Sequence, residues 1–383
     1  MNQFTFVQLF LPILCSFVQF NLMKRLAFLF IASVLMVSCE TQEEITLRDK
    51  IGSMLIVGFR GTRADNKSKI ATNIKKHNLG GVILFNSDPL VAGSPRNIKS
   101  PKQLTKLTTW LQGLTPTPLF VAIDQEGGFV SRLNQKSGFP KTLSAYESYQ
   151  NPEKFHKNNA TICTTLKKHG INLNFAPVVD VGVNPKNFIY KKERIYSSKP
   201  LQVVHAASLV IKMHHQHNLL TAIKHFPGHG SSKADSHKGF ADVSKTWDKQ
   251  ELIPFAQLSA ETDMIMTSHI YHKGLDLNYP ATLSKKVITG LLRNKLGYQG
   301  VVISDDLGMK AISSHYSLRE SVVLAINAGV DILLFANTMD YNENVVEEVI
   351  DIVLKEIELG AINEKLINGA YVRIQKLRSR ISK

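Results

Sequence analysis

The sequence predicts a single-domain α/β fold, a (β/α)8 TIM barrel, on three observations: eight short apolar or β-branched runs, longer amphipathic stretches between them, and ionisable residues gathered just past the ends of the runs. A chain of 383 residues with 44% hydrophobic content can bury a core of that size, either in one barrel or in two ordinary domains. The competing architecture is a doubly wound sheet in two domains. Eight units in about 300 residues fit the barrel better.

The N-terminal stretch stands apart from the fold. Residues 1–38 contain no acidic residue and two basic ones, Lys24 and Arg25, which follow Met23 and precede the apolar run at 26–37. That order is the charged and apolar part of a signal segment. It ends in Leu35-Met36-Val37-Ser38-Cys39, with Met36 where a lipoprotein signal usually has leucine, so Cys39 is expected to carry the lipid. Met23 reads as the better start, with 1–22 an upstream extension. A retained transmembrane anchor would need about 20 apolar residues, and about 12 are present. The expected division is therefore 1–38 as extension and signal and 39–383 as the barrel. The protein should be tethered by lipid at a membrane in the cell envelope, outside the cytoplasm.

The eight runs lie at 54–59, 81–85, 119–123, 173–178, 220–223, 264–267, 301–303 and 331–335. The stretches at 104–114, 203–214, 285–296 and 318–328 repeat apolar residues at helical spacing, and 344–383 reads as two helices joined near Gly360. No repeat, low-complexity tract or linker interrupts residues 45–383. Asp124 and Glu126 follow the third run, Asp180 the fourth, Lys224 and His225 the fifth, His269 the sixth, and Asp305 and Asp306 the seventh. Barrel active sites are built at those strand ends.

The net charge of +15 is spread along the chain, without a basic patch interleaved with aromatics, so nucleic acid is not an expected partner. Of three cysteines, Cys15 lies in the extension, Cys39 is the lipid site and Cys163 has no partner, which excludes a disulfide framework and a cysteine metal site. His214, His215 and His217 are read as a solvated helix face. His225, His229, His237 and His269 are the residues a metal hydrolase would use, but no strand carries a His-x-His pair, and no metal or cofactor is expected.

The densest constellation is Lys224-His-Phe-Pro-Gly-His-Gly230 with Asp235-Ser-His237 after it. Proline and glycines force an irregular loop of the kind that covers a pocket. Lys224 and His225 supply donors suited to sugar hydroxyls, and Asp235 can orient the imidazole of His237. A histidine so placed can give a proton to a leaving-group oxygen and take one from water. At the seventh strand tip a carboxylate could attack an anomeric carbon. Strand alternation alone does not choose between Asp305 and Asp306; the other one would be structural, for example a helix N-cap.

Taken with Asp124-Gln-Glu-Gly-Gly128, Pro280-Ala-Thr-Leu-Ser284 and Ser304-Asp-Asp306, this pattern resembles the bacterial β-N-acetylglucosaminidases of glycoside hydrolase family 3, over nearly all of 45–380. The resemblance implies a retaining, exo-acting enzyme with Asp305 as nucleophile, His237 as acid/base and Asp235 as its partner. It implies sugar binding by Asp124, Arg132, Arg194, Lys224 and His225, and a small N-acetylglucosamine-containing carbohydrate as substrate. A monomer is expected. Phe129 stands where the family usually has arginine, and Ile195-Tyr196 where it has Ser-Phe. The non-enzymatic alternative, a sugar-binding lipoprotein, would be marked by loss of Asp305 or His237, and both are present.

Overall fold

The computed structural model describes residues 45–91, 93–233, 239 and 241–381. Cys39, Asp235 and His237 lie outside the described residues. Eight strands form the barrel: β1 (Leu55–Gly58), β2 (Gly81–Ile83), β3 (Phe120–Ile123), β4 (Leu173–Asn174), β5 (Leu220–Phe226), β6 (Met264–Thr267), β7 (Val301–Ile303) and β8 (Leu333–Phe335). They lie in the order β7-β6-β5-β4-β3-β2-β1-β8, every neighbouring pair parallel. The ends of that order meet. Ile303 bridges Ile332, Ser304 N–H donates to the Ile332 carbonyl at 2.9 Å, and Leu307 N–H donates to that of Leu334 at 3.0 Å.

Each strand is buried along its whole length, as expected where barrel packing covers one face and crossover helices the other. The helices begin and end on recognisable chemistry. Ser100 and Gln103 form a capping box ahead of Pro101–Gly113, with proline in the first turn. Ser317 and Glu320 do the same for Leu318–Ala328, which stops at Gly329 with φ 105°. The two C-terminal helices are Val345–Glu358 and Glu364–Arg378, separated by Gly360 with φ 74°.

Two elements differ from the sequence expectation. The fourth run keeps only Leu173–Asn174 as strand, because Pro177 has no N–H for the ladder; Val178 rejoins through a single bridge to Lys224. The helix at Lys286–Lys295 winds as a π-helix, closing on a bond from Leu296 N–H to the Leu291 carbonyl at 2.9 Å.

The histidine cluster also departs from expectation. His214 is buried, with Nδ1 at 2.8 Å from the Val210 carbonyl and Nε2 at 3.0 Å from Asn174 Nδ2, and burial lowers its pKa to about 4. His215 pairs with Asp263 at 2.8 Å, beneath β5 and β6. The helix Pro200–Gln216 therefore turns these two rings onto the barrel, because Asn174 and Asp263 give them polar partners there.

Candidate active site

The site starts from the end of β3, where Asp124 opens a tight hairpin. Gln125–Gly127 pairs with Val130–Ser131, and Gly127 and Gly128 turn it with φ 96° and 56°. The return strand brings Arg132 Nη2 to 3.3 Å from Asp124 Oδ2. From β5, Lys224 reaches Asp124 Oδ1 at 2.9 Å and Glu126 Oε1 at 2.7 Å. Arg194 closes the set with a two-pronged contact to Glu126, at 2.7 and 2.8 Å.

These five charges fix one another. Burial alone would raise the pKa of Asp124, but Lys224 and then Arg132 outweigh it and hold the carboxyl well below its usual range. For Glu126, Arg194 and then Lys224 overcome burial and bring it down to about 2. Burial opposes charge on Lys224 and Arg194 too, yet the facing carboxylates raise both above their ordinary values. A group locked in one charge state does not transfer protons near neutral pH. The set is suited to binding hydroxyls.

His225 follows Lys224 on β5, and its Nδ1 lies 2.6 Å from Asp180 Oδ2. Asp180 is buried; burial favours its protonation, but His225 and its hydrogen bond lower the pKa overall. An ionised carboxylate only accepts, so Nδ1 carries the proton. Asp180 Oδ1 also accepts the N–H of His225 at 3.2 Å and of His229 at 2.8 Å. Burial lowers the pKa of His229 to about 4.

The glycine loop beyond β5 is held at its root. Glu251 Oε2 accepts the N–H groups of Gly230 at 2.8 Å and Ser231 at 3.2 Å, and Asn187 Nδ2 donates to the His229 and Ser232 carbonyls, both at 2.9 Å. A Cβ on Gly230 would overlap the Val181 carbonyl, which explains glycine there. Glu251 is buried; burial raises its pKa to about 7.

At the end of β7 the two aspartates separate. Asp306 turns Oδ1 onto the backbone, accepting Ala336 N–H at 2.9 Å and Gly308 N–H at 3.0 Å, and burial raises its pKa to about 6. It braces the β7–β8 junction and is not the N-cap expected of a structural partner, since Met309 occupies that position before Lys310–Ser313. Asp305, partly exposed, stays at the barrel mouth, its Oδ1 accepting Asp306 N–H at 2.8 Å.

Residues 46–377 match the glycosyl hydrolase family 3 N terminal domain. The chain belongs to glycosyl hydrolase family 3. It is 31% identical over 381 residues to beta-hexosaminidase A of Pseudoalteromonas piscicida, an alignment covering 89% of this chain and 62% of that relative. It is 34% identical over 295 residues to a beta-hexosaminidase of Alkalilimnicola ehrlichii, covering 74% and 80%. Among solved structures, a glycoside hydrolase family 3 beta-N-acetylglucosaminidase from Paenibacillus aligns with TM-score 0.78 at 32% identity, over 88% of this chain and 62% of that one. This chain thus spans less than two thirds of two of these three.

In this family 3 barrel, Asp124, Arg132, Arg194 and Lys224 come together as one set, with His225 beside Lys224. Glu126, Asp180 and Glu251 carry structural work that the motif reading assigned to no one. For Glu126 the signal was its place two residues after Asp124; for Asp180, its place after the fourth run. Of the two departures, Tyr196 is buried against Tyr149 and Phe155, with ring centroids 5.8 and 6.1 Å away. Phe129 is 69% exposed at the hairpin tip.

Proposed function

We propose that the protein is a retaining, exo-acting β-N-acetylglucosaminidase that forms a glycosyl–Asp305 intermediate, with His237 as acid/base oriented by Asp235. The observation that carries this reading is the division of labour among the strand-tip carboxylates. Asp124 and Glu126 are locked as anions among Lys224, Arg132 and Arg194, Asp180 is paired with His225, Asp306 is committed to the backbone, and Asp305 stands partly exposed just past the end of β7. In this mechanism Asp305 attacks the anomeric carbon while His237 protonates the leaving oxygen; His237 then takes a proton from water as it displaces Asp305. Asp124, Arg132, Arg194, Lys224 and His225 hold the sugar. The names of the relatives support an N-acetylhexosamine at the cleaved end; our proposal is that it comes from peptidoglycan fragments, chito-oligosaccharides or related glycans.

The test is hydrolysis of p-nitrophenyl β-N-acetylglucosaminide by the full chain, beside the glucose analogue and with EDTA added. Activity confined to the acetamido sugar and indifferent to EDTA is expected. Loss of activity with EDTA would overturn the metal-free mechanism. We further propose that Cys39 carries a lipid that holds the enzyme at a membrane outside the cytoplasm. Cys39→Ser should then move the protein to the soluble fraction, and unchanged membrane association would refute the anchor.

A further inference from the structure

The segment Pro280-Ala-Thr-Leu-Ser284 belongs to the sequence pattern but has no part in the chemistry proposed above. It packs against the end of β6, and its Thr282 is fully buried. Thr282 Oγ1 lies 2.8 Å from Thr267 Oγ1 and 2.8 Å from His269 Nδ1. Thr267 Oγ1 accepts the N–H of Asp305 at 3.3 Å, and His269 Nε2 lies 2.9 Å from the carbonyl of Asp306. Starting at Asp305, these contacts return to the next residue.

The direction of the bonds follows from which atoms can donate. A carbonyl only accepts, so His269 Nε2 carries a proton toward Asp306. In the neutral ring Nδ1 is then an acceptor, and the Thr282 hydroxyl can supply its proton. Thr282 Oγ1 also donates to the Ser268 carbonyl at 2.8 Å, an oxygen whose second lone pair receives Thr282 N–H at 3.1 Å, so the one hydroxyl proton serves both that carbonyl and Nδ1. Thr267 donates to Thr282 in turn. The contacts join Asp305 N–H through two hydroxyls and an imidazole to the Asp306 carbonyl, with the Ser268 carbonyl fixing the Thr282 hydroxyl at the middle of the chain.

We propose that Thr282 and His269 are positioning residues for the nucleophile, holding the backbone on both sides of the Asp305 side chain so that its carboxylate meets the anomeric carbon in line. The proposal rests on Asp305 being the nucleophile. A misplaced nucleophile slows its attack whatever the leaving group is, whereas loss of the acid slows chiefly poor leaving groups.

The experiment compares the full-length parent with Thr282→Val, Thr282→Ser, His269→Asn and Asp305→Ala. It reads kcat/KM on the p-nitrophenyl glycoside and on an N-acetylglucosamine disaccharide, the affinity for free N-acetylglucosamine, and Tm. Thr282→Val and His269→Asn should each lose about tenfold or more in kcat/KM, by the same factor on both substrates and with sugar affinity retained. Thr282→Ser, which keeps the hydroxyl, should stay within about threefold of the parent. If Thr282→Val does not fold, His269→Asn decides alone. Parental kcat/KM in either folded variant, or Thr282→Ser as slow as Thr282→Val, overturns the proposal. Turnover by Asp305→Ala removes the nucleophile assignment instead, and the positioning role with it.

Discussion

Replacing Lys224 with methionine tests the charge set at its centre. The ammonium reaches Asp124 at 2.9 Å and Glu126 at 2.7 Å, but the two carboxylates would not suffer equally. Glu126 keeps both prongs of Arg194, whereas Asp124 keeps only Arg132 at 3.3 Å. Methionine fills most of the lysine stem, so little of the loss comes from a cavity. Removing one member of a buried pair typically costs about 3–5 kcal/mol, and the lower end applies because the Asp124 side chain retains 19% exposure and one cation. The deficit also depends on pH. In the parent the Asp124 pKa is depressed, so its contribution is complete above the unfolded value of about 4 and fades as pH falls through the folded one. In Lys224→Met that depression is largely gone. Urea unfolding should therefore show a deficit of about 3 kcal/mol that is nearly the same at pH 7 and pH 5 and shrinks only as pH falls below about 4. A deficit below about 1 kcal/mol at pH 7, or one that stays undiminished well below pH 4, would refute the reasoning.

Two more outcomes are expected from the loop beyond β5. Glu251, raised from 4.5 to about 7, favours the folded state most below pH 4.5 and loses that contribution as pH rises through 7. Relative to the parent, Glu251→Gln should gain stability between pH 5 and 8, on the order of 1–3 kcal/mol; parallel curves of Tm against pH would count against it. His237→Ala should slow the p-nitrophenyl glycoside less than a disaccharide, by a difference of at least about tenfold, because a good leaving group needs little acid. Equal losses on both would assign His237 a structural role.

The barrel was legible because its strands are covered on both faces and so read as unbroken apolar runs, with ionisable residues where each run ends. The pairing of those residues was harder to read. Glu126 and Arg194 stand 68 residues apart, and nothing local in either segment announces the other. Glu251 sits at the start of a helical stretch and reads as a surface acid until the fold lays the glycine loop over it. Alternation along β7 could not separate Asp305 from Asp306, because the deciding contact comes from Ala336 beyond β8. His214 and His215 were misread for the same reason: their buried partners, Asn174 and Asp263, belong to other segments. The winding of Lys286–Lys295 has no sequence mark we can identify.

The central claim is that Asp305 bonds to the sugar. Its most direct test is to treat the full-length protein with a 5-fluoro glycosyl fluoride of N-acetylglucosamine, which forms the intermediate faster than it is hydrolysed, and to locate the added mass by peptide sequencing. The account predicts one sugar per chain, on Asp305, and none in Asp305→Ala. A sugar on Asp306, Asp124 or another carboxylate, or continued turnover by Asp305→Ala, would contradict it.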